Sequence, residues 1–206
     1  MAIRATPRSD AADALTWFIR VFVFALLFRV LYIWQLRASP WFAFPIVDPA
    51  FHDQWARYWA RGEQFMPGPY FRAPLYTWFL GTIYWLIGTQ PIMPRIVQAL
   101  VGSANCGLLY LIGRQLFGHR VGLAAGSVAA VYWIFWYFDA ELLSPVLIAF
   151  LNLLLLLALV RLQERATWWG WGGAGVLLGL SELTRPDILI FAPLVFCWLV
   201  VHQWRR

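Results

Sequence analysis

The sequence predicts an all-α, polytopic membrane helical bundle of about six transmembrane helices, whose outer first loop carries helices lying at the membrane surface. Three observations predict it. Of the 206 residues, 62% are hydrophobic and only 13% charged, which is outside the range of soluble domains. Several apolar stretches approach the ~20 residues that a helix needs to cross a bilayer, and the alternating signal of a membrane β-barrel is missing. One stretch breaks the pattern: PIVDPAFHDQWARYWARGEQFMPGPYFRAPLY, residues 45–76, holds carboxylates, a histidine, arginines and a cluster of aromatic and proline residues. A chain that only had to span a membrane has no need of it.

Taken in order, the spans are expected at Ala14–Leu36, Arg95–Phe117, Val121–Phe138, Pro145–Val160, Trp168–Leu183 and Pro186–Trp204. The first is too long for a signal core and has no small-residue cleavage site after it, so it is read as a retained helix. Leu75–Gly88, LYTWFLGTIYWLIG, is ambiguous. At 1.5 Å per residue it covers roughly 21 Å, short of a ~30 Å hydrocarbon core. Charge separates its two readings. All 16 basic side chains are arginine and the net charge is +6. If Leu75–Gly88 does not span, then Arg4/Arg8, Arg114/Arg120, Arg161/Arg165 and Arg205/Arg206 fall on one side, which the positive-inside rule makes the cytoplasm. The segment is therefore expected to lie in the outer interface or dip part-way in. Arg57, Arg61 and Arg72 of the same loop count against this reading, although the rule is weighted to short loops.

The expected organisation is one membrane domain over residues 1–206, with a cytoplasmic terminus over 1–13 and an outer loop over 37–94, in the cytoplasmic (inner) membrane. Loop arginines are expected to meet lipid phosphates. Nucleic-acid binding is not expected, because no basic stripe falls on a soluble element. Cys106 and Cys197 are far apart in apolar segments and read as packing residues. In this topology Asp48, Asp53, Glu63, Asp139, Glu141 and Asp187 all come to the outer face.

Each candidate residue has a structural and a functional reading. Asp48-Pro49 opens a short amphipathic helix in which Phe51, Trp55 and Trp59 make an apolar stripe suited to an interfacial helix. Asp before Pro is a favoured helix cap and first-turn pair; functionally, Asp48 would be a general base at the membrane surface. Asp53 is either a solvated helix residue favoured by the dipole or a secondary site acid. His52 is a polar interfacial residue or a metal ligand. Asp139 and Glu141 finish an aromatic belt, or supply a second acid facing Asp48 that tunes its pKa or holds a divalent cation. Arg72 and Arg185 stand at outer junctions before Pro74 and Pro186; they meet lipid headgroups or bind the phosphate of a lipid carrier. Arg29, mid-way along the first span, snorkels or pairs with a polar partner from another span.

Several pieces occur in a telling order: FRVLYIWQL; Asp48, Phe51, Trp55-Ala56 and Gly62; YFRAPLYTWFLGTIYWLIG; RIVQALVG; LIGRQLFGHRVGLAA; FDAELL; LTRPDILIFAPL. This ordered set resembles the GT-C superfamily of polytopic glycosyltransferases, in the branch of protein O-mannosyltransferases and the aminoarabinose-to-lipid-A transferase. The resemblance implies inverting transfer of a sugar from a polyprenyl-phosphate donor to a protein, lipid or glycan acceptor on the outer face. It implies that Asp48 is the catalytic acid-base residue and Glu141, or Asp139, the second acid. It also implies that Arg72, with Tyr76 and Arg185, binds the carrier phosphate. Metal use stays open. Members are longer, so the chain is expected to correspond to an N-terminal portion. The rival class is a non-catalytic lipid-binding or assembly module. A transporter would instead place acids at mid-membrane on paired broken helices.

Overall fold

The computed structural model describes residues 8–66 and 72–190, together with positions 193, 194 and 197. Among them every regular element is helical: α1 (Arg8–Leu36), α2 (Pro40–Ala43), α3 (Val47–Ala60), α4 (Leu75–Ile87), α5 (Ile92–Phe117), α6 (His119–Val131), α7 (Trp133–Ala140), α8 (Pro145–Glu164), α9 (Trp168–Thr184) and a 3-10 turn over Pro186–Ile190. The all-α membrane fold expected from composition is the one observed.

α1 is apolar all round, as a lipid-facing span is, with Leu15, Val23, Leu27 and Leu31 exposed. The face it buries is the four-residue series Val21, Ala25, Arg29 and Ile33, one stripe of a helix. That stripe packs on α5 and α6. α5 is the central helix, in contact with α1, α4, α6, α7 and α8. Small residues let backbones approach it: a Cβ on Gly113 would stand 2.8 Å from the Gly122 Cα of α6.

The expected spans can be followed through the described residues. Among the described residues, three helices are long and apolar enough to cross a membrane: Ala11–Leu36, Ile92–Phe117 and Pro145–Glu164. A fourth span results if α6 and α7 count as one. The expected continuous helix Val121–Phe138 is instead broken at Tyr132, whose φ of −71° and ψ of 107° are extended, with a 55° bend. The bend tips α7 so that Asp139 and Ala140 enter the bundle while Trp133, Phe135 and Tyr137 stay exposed. α9 covers the range expected for the fifth span but has 17 residues, or ~26 Å of helix. The sixth, Pro186–Trp204, starts as the 3-10 turn, and most of it lies outside the described residues.

α4 is short, as expected, but it does not lie free at the interface. Tyr76, Leu80 and Tyr84 join Ala56 of α3 and Leu142, Leu147 and Leu151 of the α7–α8 region in one buried cluster. Gly81 lies beneath the Trp59 ring, where a Cβ would come within 2.6 Å of it. The stripe read as membrane anchors is thus partly internal, with Trp55 buried, Phe51 half-buried and Trp59 exposed. Trp55 is buried and stacks on Phe65, and Trp59 covers α4.

Arg29 donates from Nε to Asp139 Oδ2 at 2.6 Å, with both side chains more than nine-tenths buried. Its other nitrogens reach the Ala25 carbonyl and Cys106 Sγ. Arg29 is therefore a pairing residue, and Asp139, expected at the outer junction, sits inside the bundle. Gly102 makes room for it, since any side chain there would collide with the carboxylate. Removing one partner of such a pair strands a buried charge, at a typical cost of about 3–5 kcal/mol. Arg29→Met should lower the unfolding midpoint in detergent sharply, and adding Asp139→Leu should restore most of it. A double variant no more stable than the single one would show that the pair is not what holds α1 to α7.

Candidate functional site

Three junctions meet at one end of the bundle: the chain around α3 and α4, the α7–α8 turn, and the exit from α9. Between them lies a cleft of about 360 Å³. Its walls are His52, Arg72, Ala73 and Tyr76 from the first loop, Ser144 from the α7–α8 turn, and Thr184, Arg185, Pro186 and Asp187 after α9. Residues scattered over more than a hundred positions thus form one concave surface to which two arginines, three hydroxyl-bearing side chains and one carboxylate contribute.

The rim belongs to α3. Val47 has φ of 55°, a left-handed conformation that is an outlier for a β-branched residue. The next residue is Asp48. The carboxylate of Asp48 does not cap the helix; it accepts a hydrogen bond from Arg72 Nη2 at 2.8 Å, with Asp48 half exposed and Arg72 about one-third exposed. The Arg72 guanidinium also lies 5.1 Å above the Phe51 ring. The hydrogen bond from Arg72 is the main cause that holds the Asp48 carboxyl below its ordinary range, so it is ionised at neutral pH.

One turn on, His52 is buried, with Nδ1 3.3 Å from Thr77 Oγ1 and its ring edge-on to Tyr76 at 5.0 Å. Burial, reinforced by the Arg72 charge, pushes its pKa down to about 4. An imidazole in that state is neutral at pH 7. Asp53 points elsewhere: Arg57 donates to it at 2.8 Å and the Tyr84 hydroxyl also donates to it. It clips α3 to α4 and takes no part in the cleft.

Tyr76 is fully buried and donates from its hydroxyl to Gln98 Oε1 at 2.7 Å. Glu141 stands behind the cleft rather than in its wall. It is half-buried at the end of α7, in extended backbone. Burial raises its pKa, and the nearby Arg95 charge opposes that shift. Arg185 pairs with Asp187 at 2.7 Å, both exposed. Of the residues singled out from sequence, the cleft therefore gathers His52, Arg72, Tyr76 and Arg185, with Asp48 at its rim and Glu141 behind it. Asp53 and Asp139 are held elsewhere. Among the described residues no group of three or more His, Cys, Asp or Glu side chains comes together to hold a metal ion. Sequence reading missed Ser144 and Thr184 as cleft residues and Gln98 as the hydrogen-bond partner of Tyr76. Arg95 and Gln98, two polar residues three apart in an apolar span, were the available signal.

Residues 71–206 match the family described as dolichyl-phosphate-mannose-protein mannosyltransferase. The chain belongs to this family. No curated protein matches it, and no solved structure does. The family is one of membrane glycosyltransferases of GT-C type. The part matching the mannosyltransferase family includes Arg72, Tyr76, Glu141, Ser144 and Arg185; Asp48 and His52 precede it.

The neutral histidine is open to direct measurement. With its pKa near 4, the His52 ring carbons should keep one chemical shift in NMR spectra from about pH 5.5 to 8. A titration midpoint near the ordinary value of about 6.5 would mean that water reaches the ring.

Proposed function

We propose that the protein transfers a sugar from a polyprenyl-phosphate donor to an acceptor on the outer face of the membrane, with inversion. The observation that carries this reading is the Arg72–Asp48 pair at the rim of a cleft holding a second guanidinium, Arg185. Arginine forks match phosphate oxygens bidentately. Ser144 and Thr184, which line the same cleft, offer further hydroxyl contacts.

The donor phosphate enters against Arg72 and Arg185, with its lipid tail between the apolar helices. Phosphate and Asp48 then compete for the Arg72 guanidinium, and the carboxylate that yields is free to work as a base. Asp48 takes the proton of the acceptor hydroxyl or amine as that atom bonds to the anomeric carbon. The bond from the anomeric carbon to the phosphate oxygen breaks, and its electron pair leaves on the phosphate, which the arginines stabilise. One displacement inverts the configuration. Glu141, with its raised pKa, is the second acid behind the site. The left-handed Val47 next to Asp48 supports a functional role for this turn, since strain of that kind gathers at functional sites.

The charge distribution supports the sidedness. The end opposite the cleft holds Arg114, paired with Asp13, and Glu164, bonded to Gln115. The clusters Arg114/Arg120 and Arg161/Arg165 are there too, as expected of a cytoplasmic face. The inner membrane is the compartment this reading assigns. A non-catalytic lipid-phosphate binder is the alternative, and the ion-paired state of Asp48 favours it: a base held by arginine is idle until something displaces it.

Transfer from a radiolabelled polyprenyl-phosphate sugar by the purified protein separates the two. Asp48→Asn should lower kcat by ~10²–10⁴-fold, the usual worth of a general base, without loss of membrane insertion. Full activity in that variant sinks the assignment. Arg72→Gln removes the group that depresses the Asp48 pKa, so the acid limb of the kcat/KM profile should move to higher pH while the donor KM rises. An acid limb unmoved by Arg72→Gln would assign that limb to another group.

A further inference from the structure

Gln98 sits on the second turn of α5 and is completely buried. A primary amide inside a membrane bundle is costly unless its hydrogen bonds are made, and here three are. Its Nε2 donates to the carbonyl of Asp139 at 2.8 Å and to the carbonyl of Glu141 at 2.6 Å, and its Oε1 accepts from the Tyr76 hydroxyl at 2.7 Å. Backbone carbonyls can only accept, so they fix which end of the amide faces them. The oxygen must then face Tyr76, and Tyr76 must donate.

Arg95 lies one turn earlier on the same helix face and donates from Nε to the Ala140 carbonyl at 2.9 Å. Three successive carbonyls, of Asp139, Ala140 and Glu141, are thus held by two side chains of α5. A helix end leaves its last carbonyls without partners, and at α7 a neighbouring span supplies them. The turn so fixed carries Glu141, and the ring attached to the other end of the amide is a wall of the cleft.

We infer that Gln98 is a positioning residue that locks the Tyr76 wall of the cleft and the Glu141 turn into a single arrangement, without itself lining the cleft. The inference rests on the donor reading of the cleft given above. It distinguishes Gln98 from other buried amides of α5. Asn105, also buried, donates to the Val146 carbonyl at 3.1 Å, away from both Tyr76 and Glu141, and so provides a control of the same chemistry.

The test uses the full chain in lipid nanodiscs, with binding of polyprenyl monophosphate followed by tryptophan fluorescence and transfer followed with a polyprenyl-phosphate sugar. Gln98→Leu should weaken phosphate binding and raise the donor KM, each about tenfold as lost buried hydrogen bonds allow, and should lower kcat as well. Tyr76→Phe should raise the donor KM with kcat nearly unchanged, and adding it to Gln98→Leu should raise KM no further. Asn105→Ala should lower the unfolding midpoint and leave binding, KM and kcat alone. The inference is overturned if Gln98→Leu changes only the unfolding midpoint, or if the KM effects of Gln98→Leu and Tyr76→Phe multiply in full. Failure of the wild-type chain to bind polyprenyl monophosphate would remove the donor reading and the inference together, whereas normal binding by Gln98→Leu removes the inference alone.

Discussion

A guanidinium and a carboxylate bonded at 2.6 Å, both out of water, join α1 to α7. Desolvating two charges is expensive, and only close geometry with further hydrogen bonds offsets it. That requirement reaches well beyond the pair. Asp139 meets Arg29 on a helix, α7, that leaves the axis of α6 by a 55° bend at the extended Tyr132. Once Asp139 is inside, the end of α7 is brought against α5, where Arg95 and Gln98 hold its carbonyls. Gln98 also holds Tyr76, and Tyr76 forms a wall of the cleft. The cleft is thus the far end of a chain of contacts that starts from a charge pair two turns before the end of the first span.

How much of this could be read from the residues follows from the range of each interaction. The helices α1, α5 and α8 were legible because a long apolar run has few other ways to satisfy its backbone in lipid. The short length of α4 was legible too, since Pro74 and Pro91 bracket it. The break at Tyr132 was not: neither proline nor glycine stands there, and the Arg29–Asp139 pair that accompanies the bend joins residues 110 positions apart. The burial of Trp55, and the contact of the exposed Trp59 ring with Gly81 of α4, were missed for a related reason. A stripe at four-residue spacing reads the same whether it faces lipid or a second helix, and α4 decides the matter.

The site divides in the same way. Arg72 and Arg185 were visible as arginines at helix junctions, and the structure lines one cleft with both. Asp48 was visible as an acid at a helix start, but its bond to Arg72 needed the loop to close over 24 positions. Asp53 and His52 look alike in sequence as polar residues of one helix, yet one ends in a clip to Arg57 and Tyr84 and the other in a buried contact with Thr77 and Tyr76. Which face of α3 meets α4 separates them, and that is a tertiary fact.

Glycine has two unrelated meanings in this chain. At Gly102 the space that a side chain would take is filled by the Asp139 carboxylate, so even one added methyl group would push an ion off its partner. Along α9, Gly172, Gly173, Gly175 and Gly179 have nothing within 4 Å of where a Cβ would be. Substitution there meets no steric barrier within the described chain. Sequence drift should therefore be tolerated at these four positions of one helix and stop at a single atom's width on another, although the positions are written with the same letter.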